Sequence, residues 1–235
     1  MGLKRAVAVA LFVLSASPLF AGVAYHFQTV TSGFAPQQLI GNVVADGGRM
    51  RVNIAHGDGA SFPDGSFILA DASHLSVCDP STKTYYDLVV DPLGGMKAML
   101  GDAVSMSNEH SATRDLGAGH SMTTSSYDMN VAVMDKKMTM HVAMTTESWT
   151  TDKYPASASI AKVVGSDAHV PGVGFPLKQV TTYRIDQNGT PIEVTSTTTV
   201  TDVATKAVPP ADLTMPAGYK KVDSPIERAA KQLGK

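Results

Sequence analysis

The chain has 235 residues, of which 43% are apolar and 17% charged, and 19 basic against 21 acidic side chains give a net charge of −2 at pH 7. This composition is far from that of a disordered chain. The sequence contains no basic run or basic face, so nucleic acid is not expected among the partners. The length is enough for one good-sized domain or two small ones.

The N-terminus has the pattern of a cleaved secretory signal. Lys4 and Arg5 precede the uncharged run "AVAVALFVLSASPLFA", which ends in small residues at Ala21. Ser15, Ser17 and Pro18 interrupt this run and no basic cluster follows it, so the pattern favours export over anchoring in a membrane. We predict cleavage after Ala21, with Ala24 as the alternative. Because no cysteine stands at the exit of the run, we do not expect a lipoprotein.

The single cysteine limits how the exported chain is stabilised. Cys78 has no second cysteine with which to form an internal disulfide, so the fold must be held by its core. A catalytic thiol needs a nearby base or helix N-terminus to lower its pKa, and no neighbouring residue supplies one, so we expect Cys78 to be inert. The predicted organisation is a signal peptide over 1–21, one domain over 22–223 and a C-terminal helix or tail over 224–235.

Most of the mature chain has the pattern of short β-strands. Runs rich in β-branched and aromatic residues, ending in Gly, Asp, Pro or Ser, predict strands over 23–30, 38–45, 49–55, 65–71, 74–79, 84–90, 119–134, 138–152, 176–186 and 190–203. Asp79 and Pro80 suit a type I turn, and Asn188 and Gly189 suit a two-residue hairpin. Strands this close together predict an antiparallel meander.

Helices are predicted at three places, whereas the polar residues 103–117 have no clear pattern. A weak helix over 91–102 begins at Asp91 and Pro92, and a second covers 154–164. At the C-terminus, Ser224 has the pattern of a cap, with Pro225 and Glu227 following it. The first helix bears methionines, which suits a movable cover better than a core element.

Alternation along two strands indicates one apolar face. The face of 84–90 that bears Tyr86 is the more apolar, and 138–152 presents methionines at every second residue. The predicted lining of a ligand cavity is Tyr86, Leu88, Met138, Met140, Val142 and Met144, with Met96 and Met99 on a covering helix. The methionines also allow a copper site, although His141 points to the opposite face.

Several stretches resemble exported bacterial proteins of unknown function with an outer-membrane lipoprotein carrier (LolA-like) fold. They are "LADASHLSVCDPSTKTYYDL", "TRDLGAGHSMTTSSYDM", "TTESWTTD" and a closing part from "GFPLKQ" to "TTTVTDVATKAVPPADLTMPAGYKKVD". The likeness covers, in pieces, most of Tyr25 to Asp223. It implies a mainly β fold with a few short helices, in which a curved antiparallel sheet forms an incomplete barrel. The short helices would cover its concave face, which would hold acyl chains or another apolar ligand.

One early strand departs from the pattern of that family. The carriers have an arginine-proline pair there, associated with holding the lid, whereas this chain has "VADGGRMRV". The proline is missing, and only Arg49 or Arg51 could take the arginine's part.

The sequence therefore predicts an exported, periplasmic, non-enzymatic binding or carrier protein for a lipid-like or acylated ligand, without a cofactor. An envelope lipoprotein or a membrane protein is a candidate partner. No Gly-x-Ser-x-Gly motif is present and the seven histidines are scattered, but a spatial Ser-His-Asp site stays open. Two further alternatives remain. One is a structural or protein-interaction module with a filled barrel, since a packed core and a cavity give the same alternation, and the other is a periplasmic Met/His copper-binding protein.

Overall fold

The computed structural model describes residues 22–33, 36–57, 62–71, 74–88, 104–133, 138–155, 174–187, 190–225 and 227–228, without the side chains at 104, 106, 131–133, 138–140, 187 and 190. In these ranges twelve strands form one sheet. They are β1 (Gly22–Ser32), β2 (Gln37–Asp46), β3 (Arg49–His56), β4 (Phe67–Ala70), β5 (Leu75–Asp79), β6 (Thr84–Leu88), β7 (Val104–Gly117), β8 (His120–Val133), β9 (Met138–Thr151), β10 (Phe175–Gln187), β11 (Thr190–Lys206) and β12 (Lys220–Lys221). A short 3-10 helix covers Pro210–Leu213. None of the described helices is long and apolar enough to cross a membrane.

The sheet consists of two antiparallel meanders that meet in its middle. Its order is β12-β6-β5-β4-β3-β2-β1-β11-β10-β9-β8-β7, so β1 lies between β2 and β11. All neighbours are antiparallel except β12 and β6. The outermost strands, β12 and β7, do not pair with each other, so the sheet is open and curved rather than closed into a barrel. The predicted fold class, a mainly β curved antiparallel sheet forming an incomplete barrel, is confirmed.

The predicted strands coincide with observed ones, but the sequence missed β7. The polar stretch without a pattern forms this long edge strand, and its residues 107–117 are all exposed. An edge strand with no buried face has no apolar alternation to reveal it. The prediction of a single meander is also wrong. After β6, in one half of the sheet, the next strand in the chain is β7, which lies at the opposite edge. The predicted helix over 91–102 lies outside the described residues, as does the predicted helix over 154–164 except for Tyr154 and Pro155, which are not helical.

The main core lies on one side of the sheet, which we call the inner face. Its buried side chains come mostly from β1 to β5, and Tyr25 meets Phe175 edge to face at 5.2 Å between ring centroids. Cross-strand neighbours continue the core from strand to strand: Val43 pairs with Val52, and Val52 pairs with Ile68. The core therefore binds the first meander to the start of β10.

A second, smaller core lies on the opposite side, which we call the outer face. Phe67, Leu69 and Cys78 form it on β4 and β5, and Met215 and Tyr219 of the C-terminal segment pack against them. The backbone of this segment is also fixed, since the N–H of Val222 donates to the carbonyl oxygen of Tyr85 at 2.8 Å. As a result, β4 is buried on both faces.

Two local predictions are confirmed by hydrogen bonds. Asp79 closes the turn after β5 by accepting from the N–H and hydroxyl of Ser81 at 2.8 and 2.6 Å, and these bonds, with those from Thr82, lower the pKa of Asp79. At the C-terminus, the N–H of Ser224 donates to Glu227 at 2.7 Å, and the N–H of Glu227 donates to the Ser224 hydroxyl at 3.2 Å. This reciprocal pair is the expected capping box.

Candidate ligand-binding face

Charged side chains on β8 to β11, up to Val200, are confined to the outer face, whereas Asp115 of the edge strand β7 pairs with Ser121 of the inner face. Inner and outer residues alternate along each strand, and the cross-strand register fixes which residues share a face. Within the strands from β8 to Val200 of β11, the described charged residues and histidines all fall on the outer face: His120, Asp128, His141, Glu147, Lys178, Arg184, Asp186 and Glu193. The inner face of these strands is therefore uncharged.

Two neighbouring rows of polar side chains cross this uncharged inner face. The first row is Thr29, Thr198, Gln179, Ser148, Thr123 and Thr113, and the second is Thr31, Ser196, Thr181, Thr146, Ser125 and Ser111. We call these twelve residues the hydroxyl belt. The belt crosses six strands, from β1 to the edge strand β7.

Hydrogen bonds between facing hydroxyls hold the belt together. The Oγ1 atoms of Thr29 and Thr198 are 2.8 Å apart, and those of Thr146 and Thr181 are 3.1 Å apart. The Thr113 and Thr123 hydroxyls are 2.9 Å apart. Among the described residues, no buried side-chain nitrogen or oxygen lacks a hydrogen-bond partner. The belt can therefore be buried without leaving a polar atom unsatisfied.

Beyond the belt, away from the core, the same strands present apolar side chains. The two rows there are Tyr127, Met144, Tyr183 and Val194, then Met129, Val142, Ile185 and Ile192. We call these eight residues the distal apolar patch. Its members on β8 and β9 are buried, whereas those on β10 and β11 are half-buried. The inner face thus changes from core, to belt, to a patch that is partly open to solvent.

The structure places the predicted lining residues in two separate regions. Val142 and Met144 lie in the distal apolar patch on β9 and are 6% and 1% exposed. Tyr86 and Leu88 lie on β6 and pack against the main core. Seven strands separate β6 from β9, so the sheet does not make these two pairs neighbours.

The other predicted site residues are only partly described. Met138 and Met140 belong to β9, but their side chains lie outside the described part of the chain, as do Met96 and Met99. His141 lies on the outer face, as predicted, with its Nε2 atom 3.8 Å from Asp128 Oδ1.

The hydroxyl belt is not among the features predicted above, although the sequence contains a signal for it. Thr and Ser recur at alternate positions on neighbouring predicted strands, for example in "TTSS" (123–126), "TTES" (145–148) and "TSTT" (195–198). Each of these residues alone indicates only a strand, because threonine favours strands whichever face it occupies. The belt becomes visible only when one knows which of the alternating residues on each strand share a face.

Both arginines considered for the lid lie on the outer face. Arg49 and Arg51 alternate along β3 with the buried residues Met50 and Val52, so their side chains point to the other face of the sheet. The guanidinium carbon of Arg51 is 3.9 Å from the centre of the Phe67 ring, and its Nε donates to Asn53 at 2.8 Å. Arg51 therefore takes part in the outer face, and neither arginine reaches the inner one.

The environment of Cys78 suits a packed thiol. Its sulfur is buried 3.7 Å from that of Met215, and burial raises the pKa of the thiol to about 12, against a smaller opposing effect of Arg51. The thiolate, which is the nucleophilic form, is therefore scarce at neutral pH.

Comparison with solved structures returns proteins of similar extent. An uncharacterized conserved protein from Thermus thermophilus is 12% identical, with 87% of this chain and 91% of that chain covered and a TM-score of 0.38. A LolA superfamily protein from Nitrosomonas europaea is 11% identical, with 83% and 90% covered and a TM-score of 0.36. A domain from Vibrio parahaemolyticus named for outer membrane lipoprotein sorting is 8% identical, with 83% and 89% covered and a TM-score of 0.36.

The last two of these proteins carry names from the group that the sequence resembles. No family model matches the chain, and no curated protein matches it. At these identities and TM-scores the likeness carries no argument about function, so the functional proposal depends on the inner face itself.

Proposed function

We propose that this chain is an exported, non-enzymatic protein that binds or carries a lipid-like or acylated ligand on the inner face of its second meander. The observation that carries the proposal is that the charged side chains of β8 to β11, up to Val200, lie on the outer face, while the inner face of these strands bears a half-buried apolar patch. An uncharged inner face accepts an apolar ligand without burying an unpaired charge, which would be strongly unfavourable. An envelope lipoprotein or a membrane partner would deliver or receive the ligand.

The half-buried part of the distal apolar patch is where we place the ligand. Tyr183 and Ile185 on β10 face Val194 and Ile192 on β11, so four apolar side chains adjoin one another while they remain partly exposed. Covering them would add apolar burial at about 25 cal/mol per Å². Adjoining apolar side chains with a few placed polar groups are typical of ligand sites in general.

The place where β1 begins distinguishes the two cleavage sites of the proposed signal peptide. Gly22 and Val23 are already in the sheet, and Val23 is 1% exposed and pairs with Ala45. Cleavage after Ala24 would remove this core residue, whereas cleavage after Ala21 would leave β1 whole. We therefore propose Ala21 as the last residue of the signal peptide. N-terminal sequencing of the protein from a periplasmic fraction tests this, and a mature start at Tyr25 would contradict it.

One observation favours the structural alternative, a filled interior without a ligand. Tyr127, Val142 and Met144 of the distal apolar patch are each less than 8% exposed, so protein atoms already cover them. If the half-buried side chains of β10 and β11 only form the edge of this packed interior, the inner face has no site for a ligand.

A pair of valine substitutions separates the two functions. Val194 lies on the inner face of β11, and Val180 lies on the outer face of β10; both are half-buried. We expect Val194→Asp to abolish binding of a neutral fluorescent acyl probe, because the aspartate would charge the apolar patch. Val180→Asp should bind the probe like the wild type. Equal binding by both variants, at matched folded fractions, would contradict the proposed site.

A further inference from the structure

We propose that the end of the hydroxyl belt on β1 and β11 selects ligands whose polar group is uncharged and accepts hydrogen bonds, such as the ester of an acylglycerol. This inference rests on the proposed function, since it specifies the polar part of a ligand whose acyl chain lies on the distal apolar patch. It assigns a selective role to Ser196 and Thr198 on β11, with Thr31 on β1 beside them.

A single strand shows the arrangement most clearly. The inner residues of β11 run Ile192, Val194, Ser196, Thr198 and Val200, so two apolar residues are followed by two hydroxyls and then by the core. Successive inner side chains are about 7 Å apart along a strand. Ser196 and Thr198 are half-buried, unlike the belt residues Thr146 and Thr181, which are fully buried. The two hydroxyls are therefore accessible to a ligand and adjoin the half-buried Ile192 and Val194, while Ser111 and Thr113 at the other end of the belt are exposed on the edge strand β7.

The hydrogen bonds leave a donor at this end. The hydroxyl of Thr31 donates to Ser196 Oγ at 3.3 Å, and within the described part of the chain the Ser196 proton is not used in a bond of its own. In the neighbouring pair, Thr29 and Thr198, one hydroxyl donates its proton to the other. The proton of the accepting hydroxyl does not take part in this bond and can be donated elsewhere. Both pairs can thus donate to a carbonyl oxygen of a ligand while keeping their mutual bonds.

The surroundings disfavour a charged polar group. The charged side chains of β10 and β11 on either side of these hydroxyls, Lys178, Arg184 and Glu193, lie on the outer face. A carboxylate placed at Ser196 would be partly desolvated, and the described residues of these strands offer no cation on that face, whereas an ester needs only hydrogen-bond donors. Electrostatic complementarity therefore favours a neutral amphiphile over a fatty acid with the same chain.

The test compares monopalmitoylglycerol with palmitate, which share one acyl chain, as competitors of the neutral fluorescent acyl probe. The full mature protein is compared with Ser196→Ala/Thr198→Val, which removes two hydroxyls and keeps most of the side-chain volume. The control is Thr195→Val/Thr197→Val, since these half-buried threonines alternate with the tested pair on the outer face. Circular dichroism confirms that all three proteins are folded.

We expect the wild type to prefer the glyceride by about tenfold or more, and the inner variant to lose about fivefold in glyceride affinity, the equivalent of one hydrogen bond. Palmitate binding should change little, and the outer variant should match the wild type. Equal affinity of the wild type for both lipids, or an unchanged glyceride affinity in the inner variant, would overturn this inference while leaving acyl binding intact. If the probe does not bind the wild type, the proposed function fails, and this inference fails with it.

Discussion

The thiol of Cys78 on β5 lies 3.7 Å from the thioether sulfur of Met215, which follows the 3-10 helix 137 positions later in the chain. The contact attaches the C-terminal segment to the outer face, beside Phe67 and Tyr219, whose rings meet at 5.8 Å. Cys78 therefore acts as a packing residue that holds the end of the chain against the sheet.

Because the thiol of Cys78 is buried, the folding stability should decrease as the pH rises into the alkaline range. The pKa of Cys78 is about 12 in the folded chain, because burial raises it from 9.0, so above pH 9 the unfolded chain loses a proton that the folded chain keeps. Folding stability should fall with rising pH across this window more steeply in the wild type than in Cys78→Ala. Urea unfolding at pH 8 and pH 10.5 measures the difference. Parallel losses in the two proteins would contradict the account.

The ion pair between Lys221 and Asp87 predicts a loss of stability in acid. Burial acts to raise the pKa of Asp87, but the bonds from Lys221 at 2.7 Å and from Ser76 at 2.6 Å outweigh it, so the pKa is lowered. A lowered pKa stabilises the fold above the unfolded value of 3.8 and ceases to do so as the pH falls through the folded value.

Asp87→Asn should therefore be less stable than the wild type at pH 7, and the difference should shrink below pH 4. Urea midpoints at pH 7, 5 and 3 measure it, with Lys220→Gln as a control for a neighbouring exposed charge. A difference that stays constant down to pH 3 would show that the carboxylate does not act through this pair.

Gly41 on β2 allows the Phe27 ring to pack closely against the backbone of the neighbouring strand. A Cβ atom at this position would be 2.6 Å from the ring and 2.5 Å from the carbonyl oxygen of Asn53, both too close. We expect Gly41→Ala to lower the free energy of unfolding by about 1 to 3 kcal/mol, the usual range for overpacking. Chemical denaturation tests this, and Asn42→Ala, on the exposed side of the same strand, should have little effect. A neutral Gly41→Ala would mean that Phe27 can move aside.

The buried pair Thr146 and Thr181 predicts a non-additive effect. Thr146→Val removes the partner of the Thr181 hydroxyl, which is 3% exposed, and should lower the free energy of unfolding by about 1 to 3 kcal/mol. Adding Thr181→Val removes the stranded hydroxyl and should recover part of the loss. Thermal unfolding of the two single variants and the double variant completes the cycle. Strict additivity would show that the two hydroxyls do not interact.

The extent to which the sequence predicts the structure depends on how local each signal is. Hairpins such as β5–β6 were predictable, because alternating residues and the turn at Asp79 act over a few positions. The pairing of β1 with β11 was not, since it joins Phe27 to Val200 and no local pattern encodes such a distance. The exposed strand β7 has no buried face to give it a pattern.

The candidate site follows the same rule. The apolar alternation of Val142 and Met144 correctly indicated an inner face, whereas the grouping of these residues with Tyr86 and Leu88 needed a strand order that the sequence did not supply. The hydroxyl belt needs the relative phase of six strands, so it becomes visible only when their register is known. Ser196 and Thr31 show no distinctive sequence pattern, and their relation is seen only in the structure, where their hydroxyls are hydrogen-bonded.

Native mass spectrometry of the mature protein, purified from the periplasm of its own source, tests the central claim most directly. We expect the wild type and Val180→Asp to carry an additional mass that organic extraction identifies as a neutral acylated species, and Val194→Asp to carry none. An apo mass for the wild type that stays unchanged after challenge with acylglycerols and acylated peptides would contradict the account and favour a filled interior.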